Sequence, residues 1–292
     1  PAITPSLLQK KSGKQFIQNM KQICAVGSLA TVVAAVIALR FVHLKKRKKK
    51  AVFNWSGGKD SSMALKRILD EGVYEVPVLL TSLSAEHKRV SMHGVREEVL
   101  DAQAEALGIP LYKFFIEHST TMEEYDQKMR AAIEHLKGKF EVRYSIFGDI
   151  FLEQLKAYRE EKCNEANLIP VFPLWKEDTA ELAKSFSTEG FKAYVSAVDG
   201  SKLGKEFCGR SYDLRFLHDL PADVDPCGEN GEFHTMVYDG PIFKAPLSLL
   251  RGEVVDKSYK PAKKEDDNHV CSTSKDGVDK TFYFCDLLLP DS

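Results

Sequence analysis

The sequence lacks the cysteine patterns that hold metal ions or disulfide frameworks. Its six cysteines are Cys24, Cys163, Cys208, Cys227, Cys271 and Cys285, and no two of them form a Cys-x-x-Cys pair. No compact spacing of metal ligands is present either, which argues against a zinc module and a disulfide scaffold. Reduced thiols are the default for such a chain, so we expect a cytoplasmic protein.

Acidic residues are absent from the first 50 positions, which hold eleven of the 41 lysines and arginines. The remainder of the chain therefore has 30 basic residues against 42 acidic ones. A large nucleic-acid footprint requires a basic face. We expect no nucleic-acid partner for this acidic body.

Long apolar runs are also scarce, and the clearest one covers residues 23–39, interrupted only by Ser28 and Thr31. A membrane-spanning helix needs about 17–25 such residues, so the run is at the short end. Because a basic block follows at 45–50, the body would face the cytosol. The sequence predicts an N-terminal extension, 1–48, with an extra apolar helix that either tethers the protein to the cytosolic face of a membrane or has no membrane role.

The body of the chain alternates apolar strand patterns with amphipathic helix patterns, which is typical of an α/β fold with a parallel sheet. Two prolines in residues 168–175 interrupt both patterns, and we place a domain boundary there. The predicted domains are a first α/β domain at 49–170 and a second, smaller α/β domain at 171–292. In the second domain we also expect a short strand at 242–243 and an exposed loop over 256–280.

Residues 51–62 organise the first domain, because a buried strand pattern runs into a glycine turn and then a helix. The turn and helix start contain Gly57, Gly58, Lys59 and Asp60, with hydroxyls from Ser56, Ser61 and Ser62. Helix N-termini with nearby glycines bind phosphates through backbone N–H groups, and Lys59 adds a positive charge. The Walker spacing is absent. The stretch therefore favours ATP binding, with a glycine-rich turn and a solvated lysine as the alternative.

Other polar residues follow strands at the same predicted sheet edge, where open α/β sheets bind ligands. They are His93, Gly148 and Asp149. Asp60 is suited to hold the Mg²⁺ that accompanies ATP, since this ion prefers carboxylate, phosphate and water oxygens. A helix-capping role for Asp60, a turn-forming role for Asp149 and a satisfied loop histidine at 93 are the alternatives.

A second polar stretch, residues 225–235, is unusually rich in functional groups for a connecting loop. Glu229, Glu232 and His234 supply two carboxylates and an imidazole. Carboxylates bind ammonium or accept its proton, and an imidazole can transfer that proton. A solvated polar turn is the alternative. Nothing in the sequence lowers the pKa of Cys208 or Cys227, and we interpret both as structural.

Together these stretches resemble the diphthine–ammonia ligase family of PP-loop ATP pyrophosphatases. The resemblance covers most of residues 49–289 and rests on 56–62, 92–94, 148–149, 173–175 and 228–241. It implies a Rossmann-like PP-loop domain that binds Mg-ATP through Ser56, Gly57, Gly58, Lys59, Asp60, Ser61, Ser62, His93, Gly148 and Asp149. It further implies that a carboxylate is adenylated and then attacked by ammonia, with Lys59, Asp60, Glu229, Glu232 and His234 as catalytic candidates.

Two departures from the family pattern leave the acceptor open. Residues 1–48 have no counterpart in the family core, and the details of 228–235 resemble the bacterial-type branch. The acceptor is then diphthine or another carboxylic acid. The rival functions are RNA thiolation, which would need a reactive cysteine pair and a basic face, and a nucleotide-sensing domain, which would bind ATP without releasing pyrophosphate.

Overall fold

The computed structural model describes residues 48–90, 93–259 and 280–290. Within those ranges no helix is both long and apolar enough to span a bilayer. The predicted apolar helix at 23–39 lies outside the described residues. Residues 48–292 form one compact unit.

The first sheet contains five parallel strands in the order β3-β2-β1-β4-β5. This topology is the predicted Rossmann-like α/β arrangement, with β1 at the centre. The elements are β1 (Lys49–Asn54), α1 (Lys59–Glu71), β2 (Tyr74–Ser84), α2 (Glu97–Leu107), β3 (Leu111–Ile116), α3 (Met122–Phe140), β4 (Tyr144–Ile146), α4 (Glu153–Glu165) and β5 (Ile169–Val171).

The helices that connect the strands of this sheet begin and end at local sequence signals. Helix α1 stops at Gly72, which adopts the left-handed conformation with φ of 64°. Helix α3 starts at Thr121, whose side chain accepts from the Glu124 N–H while the Glu124 carboxylate accepts from the Thr121 N–H. This capping box makes Thr121 the N-cap of the helix.

The prediction that the prolines of residues 168–175 would prevent strand pairing was wrong for the first part of this stretch. Ile169–Val171 forms β5, which pairs with β4 on one side only. Pro170 has no N–H to donate. It is tolerated because the outer side of an edge strand has no partner strand that would need this donor. A proline-bearing strand can therefore close the sheet at its margin.

The second sheet is antiparallel, with strand order β7-β6-β9-β8. Its elements are α5 (Thr179–Thr188), β6 (Lys192–Asp199), a 3-10 helix (Lys205–Phe207), α6 (Leu214–Asp219), β7 (Phe233–Asp239), β8 (Leu250–Tyr259) and β9 (Lys280–Leu288). One apolar cluster contains Phe53 and Leu65 from the first sheet layer and Val195, Phe233 and Met236 from the second sheet. The two sheets therefore share a core.

Two predictions for this second part were wrong. Residues 242–243 lie in and just after a turn rather than in a strand, and Phe243 N–H donates to Gly240 C=O. The predicted loop over 256–280 begins with strand, since β8 continues to Tyr259 and pairs with β9. Residues 260–279 lie outside the described part of the chain. Strand β8 was missed because its partner is distant in sequence and its side chains are largely polar.

Candidate active site

The glycine turn after β1 has the geometry of a phosphate-binding loop. Gly57 adopts φ of +82°, a left-handed conformation that suits glycine. A Cβ on Gly57 would lie only 2.8 Å from Gln103 Oε1. Gly58 is the extended N-cap of α1, so the chain turns directly from the strand edge into the helix N-terminus.

The three serines of the loop hold this turn in different ways. Ser61 Oγ and Ser62 Oγ each donate to the Gly58 carbonyl at 2.9 Å. Ser56 Oγ accepts from the Gly58 N–H at 3.3 Å and donates to Ser61 Oγ at 3.2 Å. Ser62 is fully buried and stabilises the loop without lining the adjoining cavity, whereas Ser56 and Ser61 line it.

Lys59 is almost completely buried, and its charge is paired within the loop. Its Nζ lies 2.8 and 2.7 Å from the two carboxylate oxygens of Asp60. Phe233 and Tyr212 of the second part of the chain place their rings 5.6 and 5.9 Å from the same atom. Burial acts against the charge, but the Asp60 carboxylate outweighs it and keeps the pKa of Lys59 above its ordinary value. The lysine therefore remains a cation.

A cavity of about 580 Å³ opens at the carboxyl ends of β1, β2 and β4. Its volume suits a nucleotide-sized ligand, for which about 300–1,000 Å³ is usual. Nine of the predicted site residues line it: Ser56, Lys59, Asp60, Ser61, His93, Gly148, Asp149, Glu229 and His234. Of the other predicted residues, Gly57, Gly58 and Ser62 support the loop, and Glu232 is not part of the lining.

Gly148 and Asp149 bring the end of β4 against the start of α1. A Cβ on Gly148 would lie 3.0 Å from Ser61 N, so a side chain at this position would crowd the backbone at the start of α1. Asp149 forms an ion pair with Arg159 of α4, at 2.5 Å between Oδ2 and Nε. Arg159 also lines the cavity and lies over the Phe147 ring. No local pattern in the sequence distinguishes Arg159 from other helical arginines.

Glu229 connects the second polar stretch to the first sheet. Its Oε1 accepts from the Ile150 N–H at 2.8 Å and the Phe151 N–H at 3.3 Å, just after β4. Burial raises the pKa of Glu229 to about 7, and the nearby Asp60 charge contributes to the same shift. Glu229 is thus a cavity carboxyl group that can change protonation near neutral pH.

Glu232 has a different position, although the sequence suggested the same role for both glutamates. Only 3% of Glu232 is exposed. Its carboxylate accepts from Asp225 N–H, Asn230 N–H and the Asn230 side-chain amide at 3.0–3.2 Å. Asp225 Oδ1 in turn accepts from the N–H groups of Cys227 and Glu229. Glu232 therefore folds the loop that presents Glu229.

His93 and His234 meet at the cavity wall from the two parts of the chain. Their ring centroids are 4.5 Å apart with a 35° angle between the planes. His93 Nδ1 lies 3.4 Å from the Thr235 carbonyl, and His234 Nε2 is buried without a hydrogen-bond partner in the described residues. Burial lowers the pKa of His93 to about 4 and that of His234 well below its ordinary value. Both imidazoles are neutral near pH 7.

Strand β7 forms part of the phosphate loop's support, which the sequence patterns did not indicate. Lys59 N–H donates to Thr235 Oγ1 at 3.0 Å, and Val237 N–H donates to the Gly57 carbonyl at 3.0 Å.

The loop that contains His93 is held to β9, because Arg89 and Arg96 both bind Asp286. A Cβ on Gly94 would meet the Phe284 ring at 2.6 Å. Both sheets therefore build one site.

The cysteines of the described residues are buried and have no reactive setting. Cys227 Sγ donates to the Thr179 carbonyl at 3.3 Å, and burial raises the pKa of its thiol. Burial likewise raises the pKa of Cys208 to about 12. Because the thiolate is the nucleophile, these positions agree with the structural role predicted for both residues.

In the described ranges no group of three or more His, Cys, Asp or Glu side chains could hold a metal ion. Asp60 nevertheless fits a magnesium ion brought by a nucleotide, since its carboxylate lies on the cavity wall beside the start of α1. Mg²⁺ commonly uses one or two carboxylates together with phosphate and water oxygens. The Mg²⁺ ligand at Asp60 stays a prediction.

The comparisons with known proteins match both parts of the chain. The sequence-family model of the diphthamide synthase N-terminal domain matches residues 48–170, and the family model of the C-terminal domain matches residues 178–264. A diphthine–ammonia ligase of Danio rerio is 27% identical over 232 residues, which cover 70% of this chain and 89% of that protein. Proteins of the same name from Homo sapiens and Schizosaccharomyces pombe are also 27% identical, over 68% and 70% of this chain. The matched region covers 82% of the human protein but only 36% of the yeast one.

The parallel sheet, the glycine loop at its edge and the adjoining cavity define a nucleotide-binding α/β protein of the PP-loop class. Two consecutive domain models extend that match across most of the chain. The chain belongs to the diphthine–ammonia ligase family.

Proposed function

We propose that this protein is an ATP-dependent ligase that converts a carboxylate into an amide with ammonia. An oxygen of the acceptor carboxylate attacks the α-phosphorus, and the bond from that phosphorus to the bridging oxygen breaks to release pyrophosphate. Ammonia then attacks the carbonyl carbon, loses a proton and expels AMP. The names of the similar animal and yeast proteins support diphthine as the acceptor. A different carboxylic acid is the alternative left open by the sequence.

The observation that carries this proposal is the convergence of two polar loops on one cavity. Lys59, Asp60 and Ser61 lie at the start of α1, and Glu229 and His234 enter from the second part of the chain. A nucleotide held at the helix N-terminus would therefore have its phosphates beside a second set of polar groups. Such an arrangement brings ATP and an acceptor into one reaction volume.

The residues have separate roles in this proposal. Lys59 and the loop amides bind the polyphosphate and balance charge that develops on the leaving pyrophosphate. Asp60 would hold the Mg²⁺ ion, which neutralises phosphate charge when it is bound. Glu229 accepts a proton from the attacking nitrogen, because a pKa near 7 suits proton transfer at neutral pH. His234 is neutral and supplies a hydrogen-bonding group to the same cavity.

Glu232 supports the proposed site by folding residues 225–232 around its carboxylate. The sequence-based interpretation, in which Glu232 itself binds ammonia or the acceptor, stays a prediction. It would require the carboxylate to leave its three N–H donors. We assign the direct role to Glu229.

The proposal is tested by incubating the full chain with Mg-ATP, ¹⁵N-labelled ammonium and candidate carboxylates, including a protein that carries diphthine. We expect AMP and pyrophosphate in equal amounts and an amide that carries the label. Formation of ADP and inorganic phosphate would contradict the proposal. Binding of ATP with no pyrophosphate release under any acceptor would instead favour a nucleotide-sensing domain.

A further inference from the structure

Gln103 is a completely buried polar residue of α2 that no sequence pattern connects to the site. Its Nε2 donates to the Gly57 carbonyl at 3.0 Å and to the Val237 carbonyl at 2.6 Å. Its Oε1 accepts from Trp55 Nε1 at 2.8 Å. One amide thereby joins the strand end before the phosphate loop, the loop itself and strand β7.

The orientation of this amide is determined by its partners. Two carbonyl oxygens can only accept hydrogen bonds, and the Trp55 indole can only donate one. The NH₂ group of Gln103 must therefore face Gly57 and Val237, and its oxygen must face Trp55. Both N–H donors and one acceptor position are used, so a buried polar group that would otherwise be costly is satisfied.

The hydrogen bonds to Gly57 determine which way the next peptide group points. The Gly57 carbonyl accepts from Gln103 Nε2 and from Val237 N–H, and neither of these residues lines the cavity. In a planar trans peptide the C=O and the following N–H point in opposite directions. The Gly58 N–H is therefore directed toward Ser56 Oγ, and Ser56 lines the cavity.

Glycine at position 57 makes this control necessary. With φ of +82° and no side chain, Gly57 belongs to the residue type that rotates most freely about its backbone. Rotation of the Gly57–Gly58 peptide would replace an N–H donor on the cavity side with a carbonyl oxygen. A carbonyl there would repel a phosphate, whereas the N–H attracts it.

We propose that Gln103 is a positioning residue, which clamps the Gly57–Gly58 peptide so that the Gly58 N–H, with the Ser56 hydroxyl that it binds, stays on the side of the loop where the phosphates of the nucleotide bind. The inference rests on the proposed ATP binding at residues 56–62. It adds a residue from α2, 46 positions away from Gly57 along the chain, to the machinery of that loop. Gln103 acts through the peptide and makes no contact with substrate itself.

Two variants separate this role from simple packing. Gln103→Met keeps a side chain of similar length but has no donor. Gln103→Glu keeps the shape, and burial would hold it protonated, so that its O–H can donate to one carbonyl. Leu107→Ala is the matched control, because Leu107 is a buried residue of the same helix with no role in the clamp. Calorimetry would measure the binding of Mg-ATP, pyrophosphate and adenosine, and thermal melting would confirm folding.

We expect Gln103→Met to weaken ATP and pyrophosphate binding by about tenfold, the scale of one lost or misdirected hydrogen bond to a charged ligand. Adenosine has no phosphate, so its affinity should change by less than about twofold on the same reasoning. Gln103→Glu should give an intermediate loss. Leu107→Ala should lower the melting temperature without a phosphate-specific loss.

Equal ATP affinity for folded Gln103→Met and the unaltered protein would overturn the proposal. Equal losses for ATP and adenosine would also overturn it, because they would indicate general damage. If Gln103→Met does not fold, the same two comparisons, of ATP affinity with the unaltered protein and of ATP with adenosine, are made for Gln103→Glu and test the proposal. Failure of the unaltered protein to bind ATP would refute the proposed function and, with it, the premise of this inference.

Discussion

At the scale of single residues, the site is characterised by ionisable groups that are buried or half-buried and have hydrogen-bond partners. Lys59 is 4% exposed and is held by the Asp60 carboxylate, while Glu229 is held by two backbone N–H groups. A buried charge without a partner would be expensive, so each of these contacts is a condition for keeping the functional group in place. Removing one group should therefore affect both ligand binding and folding.

The first prediction concerns Lys59. Replacing it with alanine removes a cation at the start of α1, and ATP affinity should fall about ten- to a hundredfold, since a hydrogen bond to a charged group contributes about 1.5–3 kcal/mol. Calorimetry at a temperature where both proteins are folded measures this change. Lys66→Ala is the control, because Lys66 lies on the same helix and pairs with Asp70 and Glu189 outside the cavity. Unchanged ATP affinity in Lys59→Ala would remove the lysine from the site.

The second prediction concerns the pH dependence that Glu229 causes. Its pKa is about 7 in the folded protein against an ordinary value of 4.5. Because the folded pKa is raised, its contribution to stability is full below about pH 4.5 and is lost as the pH rises through 7. His93 and His234 act oppositely, since their lowered pKa values contribute stability that is lost on acidification.

The comparison of the unaltered protein with Glu229→Gln isolates the glutamate from these histidines. Glutamine keeps an oxygen for the Ile150 N–H but does not titrate. In urea unfolding between pH 5 and 8, the unaltered protein should lose stability relative to the variant as the pH rises, because only the unaltered protein has a titrating Glu229. Parallel curves would mean that Glu229 ionises as readily in the folded chain as in the unfolded one.

At the scale of elements, the site depends on the contact of β7, and of the loop before it, with the start of α1. Thr235 Oγ1 accepts from Lys59 N–H, Val237 N–H donates to Gly57, and Glu229 reaches the backbone after β4. The loop keeps its shape because Glu232 binds three N–H donors within it. Strand β7 and the loop before it therefore support the start of α1.

The third prediction concerns this loop. Glu232→Gln leaves one oxygen where two accepted hydrogen bonds and turns an NH₂ group toward N–H donors. We expect a loss of about 1–3 kcal/mol in the free energy of unfolding, the cost of an unsatisfied buried group. ATP affinity should remain within about threefold, since the carboxylate is outside the cavity lining. Urea unfolding and calorimetry measure the two quantities.

Turnover separates this role from the one suggested by sequence alone. If Glu232 binds or deprotonates ammonia directly, Glu232→Gln should lower amide formation by roughly two to four orders of magnitude, the usual contribution of a positioned acid or base. If it folds the loop, the folded variant should keep most of its turnover, and Glu229→Gln should show the large loss instead. Following AMP release and amide formation separately identifies the step that fails.

At the scale of the whole molecule, the two sheets depend on each other. They share an apolar cluster, and α1 is tied to the later part of the chain by Lys66–Glu189 at 3.1 Å and by Arg67–Glu177. Domains with separate cores and a thin interface would move independently. Here the shared core and the β7 contacts favour one cooperative unit.

The fourth prediction follows from the compactness of residues 48–292. A protein truncated to those residues should unfold in a single transition and bind ATP with the affinity of the full chain. Calorimetric scans with and without ATP provide the measurement. Two separate transitions, or an affinity loss relative to the full chain, would show that the sheets are independent or that residues 1–47 contribute to the site.

Local sequence patterns predicted much of the first sheet. The strand before the loop and the helix after it depend on neighbouring residues, and the pattern over residues 51–62 predicted both. The glycine loop also predicted its own location at a helix N-terminus, since glycine, hydroxyl and lysine side chains act there within one turn. The PP-loop family and its α/β fold were therefore accessible from the sequence.

The roles of individual side chains were decided by tertiary structure. Glu229 and Glu232 are three positions apart and chemically alike, but one accepts from the backbone after β4 and the other from its own loop. Gln103 acquires its function from partners 46 and 134 positions away. Such contacts form only when distant elements pack, so a local pattern carries no signal for them. The sequence by itself determined where a phosphate loop could form, and the packing of β7 and α2 against that loop decided which polar groups support it and which face the ligand.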